Sequence, residues 1–286
     1  MTWTLTTSLD EFRSHAGAFL GARPAENTVL LTAVDRLVRR GPHTFGAGTP
    51  AFGYLRRAPG GPVEGAFLWT PPYEVRLGTM PGPAAAELAT ELAAAGPGFN
   101  DVPGVSGGTS AVRAFSAAWQ AAGGARASVR TTERLYRLGE PADPPRPPAG
   151  RHRPAGPADR ELLIGWYGEF AAEAGVRAVP AGPAVDDRIA AGLLHLWEDD
   201  GRPVAMAGHS PVIAAMARIG PVYTPPGARG RGYASGVTAA VSKSLLARGA
   251  AEVLLYTDLA NPTSNSIYQQ IGYRPVEDCL VLDFHD

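Results

Sequence analysis

Val222-Tyr223-Thr224-Pro225-Pro226-Gly227-Ala228-Arg229-Gly230-Arg231-Gly232-Tyr233-Ala234-Ser235 decides the fold. It reads as the end of a strand that breaks into a Gly/Arg loop and then opens an alanine-rich helix. Pro225 and Pro226 lack N–H donors and stop a strand ladder, while Gly230 and Gly232 let the backbone approach a ligand without Cβ interference. The free amides at the following helix N-terminus then point at a phosphate, and Arg229 and Arg231 add charge-assisted hydrogen bonds. The expected ligand is an anion. A Gly/Arg turn standing alone is an ordinary solvated loop, so the elements around it carry the reading.

Before the loop, Val212 to Tyr223 reads as one long strand; after it, Ser235 to Arg248 reads as a helix with Val237, Val241, Leu245 and Leu246 on one face, ended by Gly249. Glu252 to Asp258 reads as a buried strand. Asn261-Pro262-Thr263-Ser264-Asn265-Ser266-Ile267-Tyr268-Gln269-Gln270-Ile271-Gly272-Tyr273 follows, and Cys279 to Phe284 closes the chain as an apolar strand. The loop resembles the pyrophosphate-binding pattern of the GNAT superfamily of acyl-CoA-dependent N-acyltransferases, Gln/Arg-x-x-Gly-x-Gly/Ala, matched by Arg229, Gly232 and Ala234. The later segment is similar to the Asn-x-x-Ser/Ala-x-x-x-Tyr-x-x-x-Gly-Phe/Tyr run that follows the fifth strand in that superfamily. A dinucleotide fingerprint fits less well, because the loop has Gly-x-Gly only and no acidic residue closes a second strand at the expected distance.

At 286 residues, 45% hydrophobic and 19% charged, the chain has room for two ordinary domains. A net charge of −1 offers no electrostatic footprint for nucleic acid or an anionic membrane. Met1 to Asp10 lacks a basic and apolar leader and no run reaches the length of a membrane span, so a cytoplasmic location is expected. The single cysteine, Cys279, excludes an internal disulfide and a cysteine metal cluster, and no metal is expected.

Gly139 to Ala158 is dense in proline and glycine and reads as a semi-rigid linker. The halves flanking it form a degenerate repeat. Helical patterns at Leu9 to Leu20 and Ala25 to Arg39 match those at Ala158 to Ala174 and Val185 to Leu193. The hairpin Ala51–Arg57 with Val63–Thr70 matches Leu194–Glu198 with Pro203–His209, the latter turning at Asp199-Asp200-Gly201. Val75 to Met80 matches Ala217 to Val222, the helix Ala84 to Ala95 matches Ser235 to Arg248, Val105 to Trp119 parallels Asn261 to Gly272, and Glu133 to Leu138 parallels the last strand. The expected fold is α/β (α+β): two GNAT-like domains in tandem, each a mixed, mostly antiparallel sheet flanked by helices. Residues 1–138 form a degenerate domain, 139–150 a linker and 151–286 the catalytic domain. Only Pro81-Gly82-Pro83 stands where the first half needs a coenzyme loop, too short to wrap a pyrophosphate.

The resemblance implies acetyl-CoA as co-substrate and a primary amine of a small molecule or peptide as acceptor. It implies backbone bonds from Val222 and Thr224 to pantetheine with Tyr223 between them, a pyrophosphate held by Arg229, Gly230, Arg231, Gly232, Tyr233, Ala234 and Ser235, and contacts from Asn261 and Asn265 to the coenzyme arm. Tyr268 matches the family tyrosine that protonates the thiolate, the general acid. Many members carry a glutamate on the fourth strand. Val212 to Thr224 has no carboxylate, which leaves His209, Glu173, Asp258 or water as the base. A non-catalytic acyl-CoA sensor and transfer of a longer acyl chain remain the alternatives.

Overall fold

The computed structural model describes residues 2–96, 102–123, 126–175 and 180–285. In chain order the elements are β1 (Thr2–Thr6), α1 (Leu9–Ala22), α2 (Thr28–Arg40), β2 (Ala51–Arg56), β3 (Val63–Trp69), β4 (Val75–Leu77), α3 (Gly82–Ala94), β5 (Gly104–Gly108), α4 (Thr109–Gly123), β6 (Arg126–Leu138), β7 (Arg151–Pro154), α5 (Arg160–Ala174), α6 (Ala181–Ala190), β8 (Leu194–Asp199), β9 (Arg202–His209), β10 (Met216–Tyr223), α7 (Tyr233–Ala247), β11 (Glu252–Asp258), α8 (Pro262–Gln270) and β12 (Tyr273–His285). The chain divides into two compact units. One comprises Met1–Leu135, Asp258–Ala260 and Val276–Asp286, and the other Tyr136–Thr257 and Asn261–Pro275.

This division differs from one read along the sequence, because most of the last strand is built into the first unit. There β12 pairs antiparallel with β5, Cys279 opposite Gly108 and Asp283 opposite Gly104. Long-range strand pairing leaves no local signal, so a linear boundary cannot reveal it. The proline-rich stretch 139–150 belongs wholly to the second unit. It is fastened there by Ala142 N–H to Ile271 O (3.2 Å), Lys243 Nζ to Asp143 (2.6 Å) and Trp197 Nε1 to Ala149 O (2.8 Å).

In the first unit the strand order is β1-β2-β3-β4-β5-β12-β6. Strand β1 was not read from the sequence, although Thr2-Trp3-Thr4-Leu5-Thr6 alternates with period two; it pairs antiparallel with β2, and the Trp3 indole donates to Ala84 O. Alternation sends the two faces of the sheet into separate cores. Phe52, Tyr54, Ala66 and Leu68 meet Phe12, Ala16, Leu20, Leu30 and Leu37 of α1 and α2, while Phe67 and Leu77 meet Leu88, Leu92, Phe115 and Trp119 of α3 and α4. The strand expected over Val75 to Met80 stops at Leu77, where Gly78 N–H turns to Ala66 O and Thr79 N–H to Asn27 Oδ1. Gly104–Gly108 is a strand rather than part of the following helical segment. Its glycines hid it: a Cβ on Gly104 would fall 2.1 Å from Leu282 O, so the close strand approach demands glycine there.

In the second unit β7-β8-β9-β10-β11 are neighbours, antiparallel except for β10 and β11, and the end of β6 lies beyond β11. The β8–β9 turn forms as expected, with Asp200 and Gly201 at φ 48° and 72°. Leu163, Trp166 and Val185 of α5 and α6 cover Leu196, Met206 and Tyr223; on the other face Val237, Val241 and Leu245 of α7 cover Ala205, Ala207, Ala217, Ile219, Val253 and Leu255. The strand expected from Val212 begins only at Met216. Ala214 and Ala215 sit at φ 49° and 57° in a tight turn closed by reciprocal bonds between Ile213 and Met216. Alanine is unusual in that region, so residue type gave no sign of the turn.

Candidate active site

Strands β10 and β11 run parallel from Met216 opposite Glu252 to Ile219 opposite Leu255, and the pairing ends there. On its other edge β10 slips by one residue against β9, from Ile219 opposite His209 to Val222 opposite Ala207. Pro221 sits within this bulge and has no N–H to give. The second half of β10, with Val222 and Tyr223, therefore leaves the neighbour it began with and frees backbone donors on the β11 side. The Thr224 hydroxyl just beyond is buried and has no hydrogen-bond partner, an orphan that fits a ligand group lying along this edge.

The chain then reaches α7 through Gly230 and Gly232, at φ 77° and 83°. Both need the left-handed region that glycine enters at no steric cost. Gly232 is the N-cap residue, and no side chain caps the helix. The Ser235 hydroxyl turns instead to donate to Gly232 O (2.8 Å). The first amides of α7, from Tyr233, Ala234 and Ser235, are thus left for an external acceptor at the positive end of the helix dipole. Arg231 is exposed and forms no ion pair with a carboxylate among the described residues. Tyr233 is buried with its hydroxyl on Asp199 and Arg231, so it faces a ligand with its backbone alone.

Arg229 and Glu173, candidates for two different roles, meet each other. The guanidinium donates to both Glu173 oxygens at 2.7 Å and, through Nε, to Thr224 O at 2.9 Å. Tyr223 reaches the same group, its hydroxyl donating to Glu169 (2.8 Å) and lying 3.4 Å from Glu173. Burial, then the bond to Glu169, pushes the Tyr223 phenol up to about 12. Arg229 thus braces the loop from below, and Arg231, whose side chain reaches the Tyr233 hydroxyl, is the loop cation without a carboxylate partner among the described residues. The Arg229–Glu173 pair is 47% and 48% exposed, and exposed pairs contribute at most about 1 kcal/mol. Glu173→Gln should leave the unfolding free energy in urea within about 1 kcal/mol of wild type; a larger loss would make the pair a structural brace of α5.

Asn261 and Asn265 are already engaged. The Asn261 side chain caps α8 by accepting Ser264 N–H (3.0 Å). Asn265 accepts the Tyr136 hydroxyl (3.0 Å) and donates to Asn261 O (2.8 Å), while Gln269 donates to the same Tyr136 oxygen (3.0 Å). Tyr136, fully buried at the end of β6, thus fixes α8 from below; sequence reading missed it because nothing local marks it. Tyr268, one turn further along α8, is 8% exposed and packs edge-on against Tyr273 with ring centroids 6.1 Å apart. Its hydroxyl has no hydrogen-bond partner among the described residues, and burial raises it to about 12. It therefore remains protonated at neutral pH, a donor without an assigned acceptor.

The base candidates fare differently. Asp258 closes a turn through Ala260 N–H (2.8 Å). His209 is 2% exposed, with Nδ1 2.7 Å from Ser210 O and Nε2 3.2 Å from His195 Nε2; His195 Nδ1 in turn lies 2.9 Å from His152 Nε2. A carbonyl only accepts, so His209 Nδ1 carries the proton, His195 donates to His209, and His152 donates to His195. Three neutral rings, stacked at 4.9 and 5.2 Å, form one directed chain. Burial first, and the neighbouring rings second, lower His195 to about 3. With both nitrogens occupied, His209 has no lone pair to offer an amine.

This architecture is the tandem GNAT fold: two GNAT-like bodies of mixed sheet and flanking helices, as the sequence led one to expect. Residues 201–282 match the family model described as FR47-like protein. Solved structures share the fold along nearly the whole chain. An acetyltransferase from the GNAT family of Colwellia psychrerythraea is 13% identical, covers 99% of this chain and 99% of its own, and has a TM-score of 0.60. A GCN5-related N-acetyltransferase from Sphaerobacter thermophilus is 17% identical over 98% of this chain and 94% of its own, with a TM-score of 0.63. A tandem GNAT protein from the clavulanic acid biosynthesis pathway is 15% identical over 99% and 98%, with a TM-score of 0.55. No curated protein matches the chain significantly.

Proposed function

We propose that the protein is an N-acetyltransferase that moves an acetyl group from acetyl-CoA to a primary amine of a small molecule or peptide, with the coenzyme held by the second unit. The observation that carries this reading is the uncapped N-terminus of α7, reached through two left-handed glycines at the point where β10 leaves β11. The free edge of β10 at Val222 and Thr224 suits pantetheine, and the amides of Tyr233, Ala234 and Ser235 with Arg231 suit a pyrophosphate. The amine attacks the thioester carbonyl, backbone donors of β10 hold the developing oxyanion, and Tyr268 supplies the proton to the departing sulfur. Since His209, Glu173 and Asp258 are all engaged within the protein, water is the base that takes the amine proton. Asn261 and Asn265 act by shaping α8 rather than by free side-chain amides. No described helix is long and apolar enough to cross a membrane, in keeping with the cytoplasmic location proposed here.

The test is thiol release from acetyl-CoA against a panel of amines, with calorimetry of coenzyme binding. Arg231→Ala should weaken binding by roughly 1.5–3 kcal/mol, the scale of a charged hydrogen bond. Unchanged affinity would take Arg231 out of the phosphate site. Tight binding without thiol release on any amine would favour the sensor, and release only from longer acyl thioesters would favour the other alternative.

A further inference from the structure

The first unit holds a second cavity with its own chemistry. Strands β4 and β5 pair in parallel only at Val75 with Val105 and Arg76 with Ser106. Where they part, a space of about 70 Å³ opens, lined in part by Glu26, Arg76, Gly107, Gly108, Ser110 and Glu277. That is several times the ~10–15 Å³ that one water needs.

Two carboxylates face this space, and neither Glu26 nor Glu277 makes a hydrogen bond or ion pair with another described residue. The room for Glu277 is made by Gly108, where a Cβ would fall 2.3 Å from Glu277 Oε1. A third polar group has no partner either. The Ser106 hydroxyl is fully buried and unbonded, and strand alternation puts it on the face of the sheet shared by its register partner Arg76 and by Gly108 and Cys279, which line the cavity. Burial raises the Glu277 carboxyl, Glu26 raises it further and Arg76 opposes. Two negative charges thus stand against one arginine and the partial positive charge of the α4 N-terminus, about half an elementary charge. The balance is negative and the acceptors outnumber the donors.

We propose that this cavity binds the head group of a protonated primary amine. A –NH3+ group is compact and offers three donors, matching two carboxylates that accept no hydrogen bond from another described residue; a quaternary ammonium has no donor and is too bulky. The amine is that of a small-molecule effector that binds the first unit. The inference depends on the first unit alone and on no property of the coenzyme site.

Titration of the full-length 15N-labelled protein with methylammonium chloride tests it, with tetramethylammonium chloride and sodium acetate at equal ionic strength as controls. Saturable shifts of the Gly107 and Gly108 amides are expected with methylammonium only. Glu277→Gln, which keeps the shape and removes the charge, should weaken the apparent affinity at least 10-fold, and Glu26→Gln, on a different segment, should weaken it too and carries the test if the first variant does not fold. Non-saturating shifts, equal shifts with tetramethylammonium, binding of acetate instead, or undiminished affinity in both folded variants would overturn it.

Discussion

Tyr268→Phe should cut turnover by about 10²-fold or more, the range for a positioned general acid, while coenzyme affinity stays nearly unchanged. The phenol is 8% exposed, is raised to about 12 by burial, and its ring packs against Tyr273. Phenylalanine preserves that packing and removes only the O–H. Steady-state kinetics with saturating acetyl-CoA, paired with calorimetry, separates the two quantities: a loss confined to turnover marks an interaction made in the transition state. An unchanged rate in single-turnover measurements, where product release does not limit, would remove Tyr268 from the mechanism and leave water as the proton donor.

Stability should fall steeply as pH drops below about 6.5, well before the carboxylates titrate. The cause is the hydrogen-bonded chain of half-buried His152 and buried His195 and His209, each held neutral chiefly by desolvation, with Arg248 opposing protonation of all three and Arg188 that of His209. Their folded values lie below the unfolded value near 6.5. In the interval between, the unfolded chain binds more protons, so the stabilisation is complete above that value and is lost as pH falls. For His195 the interval extends down to about 3. Each histidine can contribute a slope approaching ~1.4 kcal/mol per pH unit. The acids held low by arginine partners, Asp159 and Asp278, lose their contribution only near and below their ordinary range of about 4. The Glu277 carboxyl, which burial raises, works in the opposite sense in this window, so urea unfolding between pH 7.5 and 4.5 on both wild type and Glu277→Gln separates the histidines from it. A flat profile across that window, or stability that rises on acidification, would contradict the neutral directed chain.

Much of the candidate site was legible because its signals are local. Pro225 and Pro226 end a strand wherever they occur, Gly230 and Gly232 announce positive φ, and the Asn261 N-cap with Tyr268 two turns on needs no knowledge of the rest of the chain. The same holds for the Asp200-Gly201 hairpin and for the apolar faces of α1, α2 and α7. Local signals fail where residue type and conformation disagree. Ala214 and Ala215 occupy a turn that favours Asn and Gly, and the glycines of β5 disguise a strand that its neighbours approach too closely for a side chain at Gly104 and Gly107.

What the sequence by itself determined was the kind of element wherever residue type and conformation agree, and the residue chemistry of the loop. What only the tertiary structure decided was partnership. It binds Arg229 to Glu173 and leaves Arg231 without a carboxylate among the described residues; it encloses His209 behind His195 rather than offering it to an amine. It also fixes Asn265 through Tyr136 and carries β12 into the first unit to set Glu277 beside Gly108. These outcomes depend on contacts between residues far apart in the chain, where the free energy comes from desolvation and hydrogen-bond geometry at a particular distance. Composition and spacing carry no information about either.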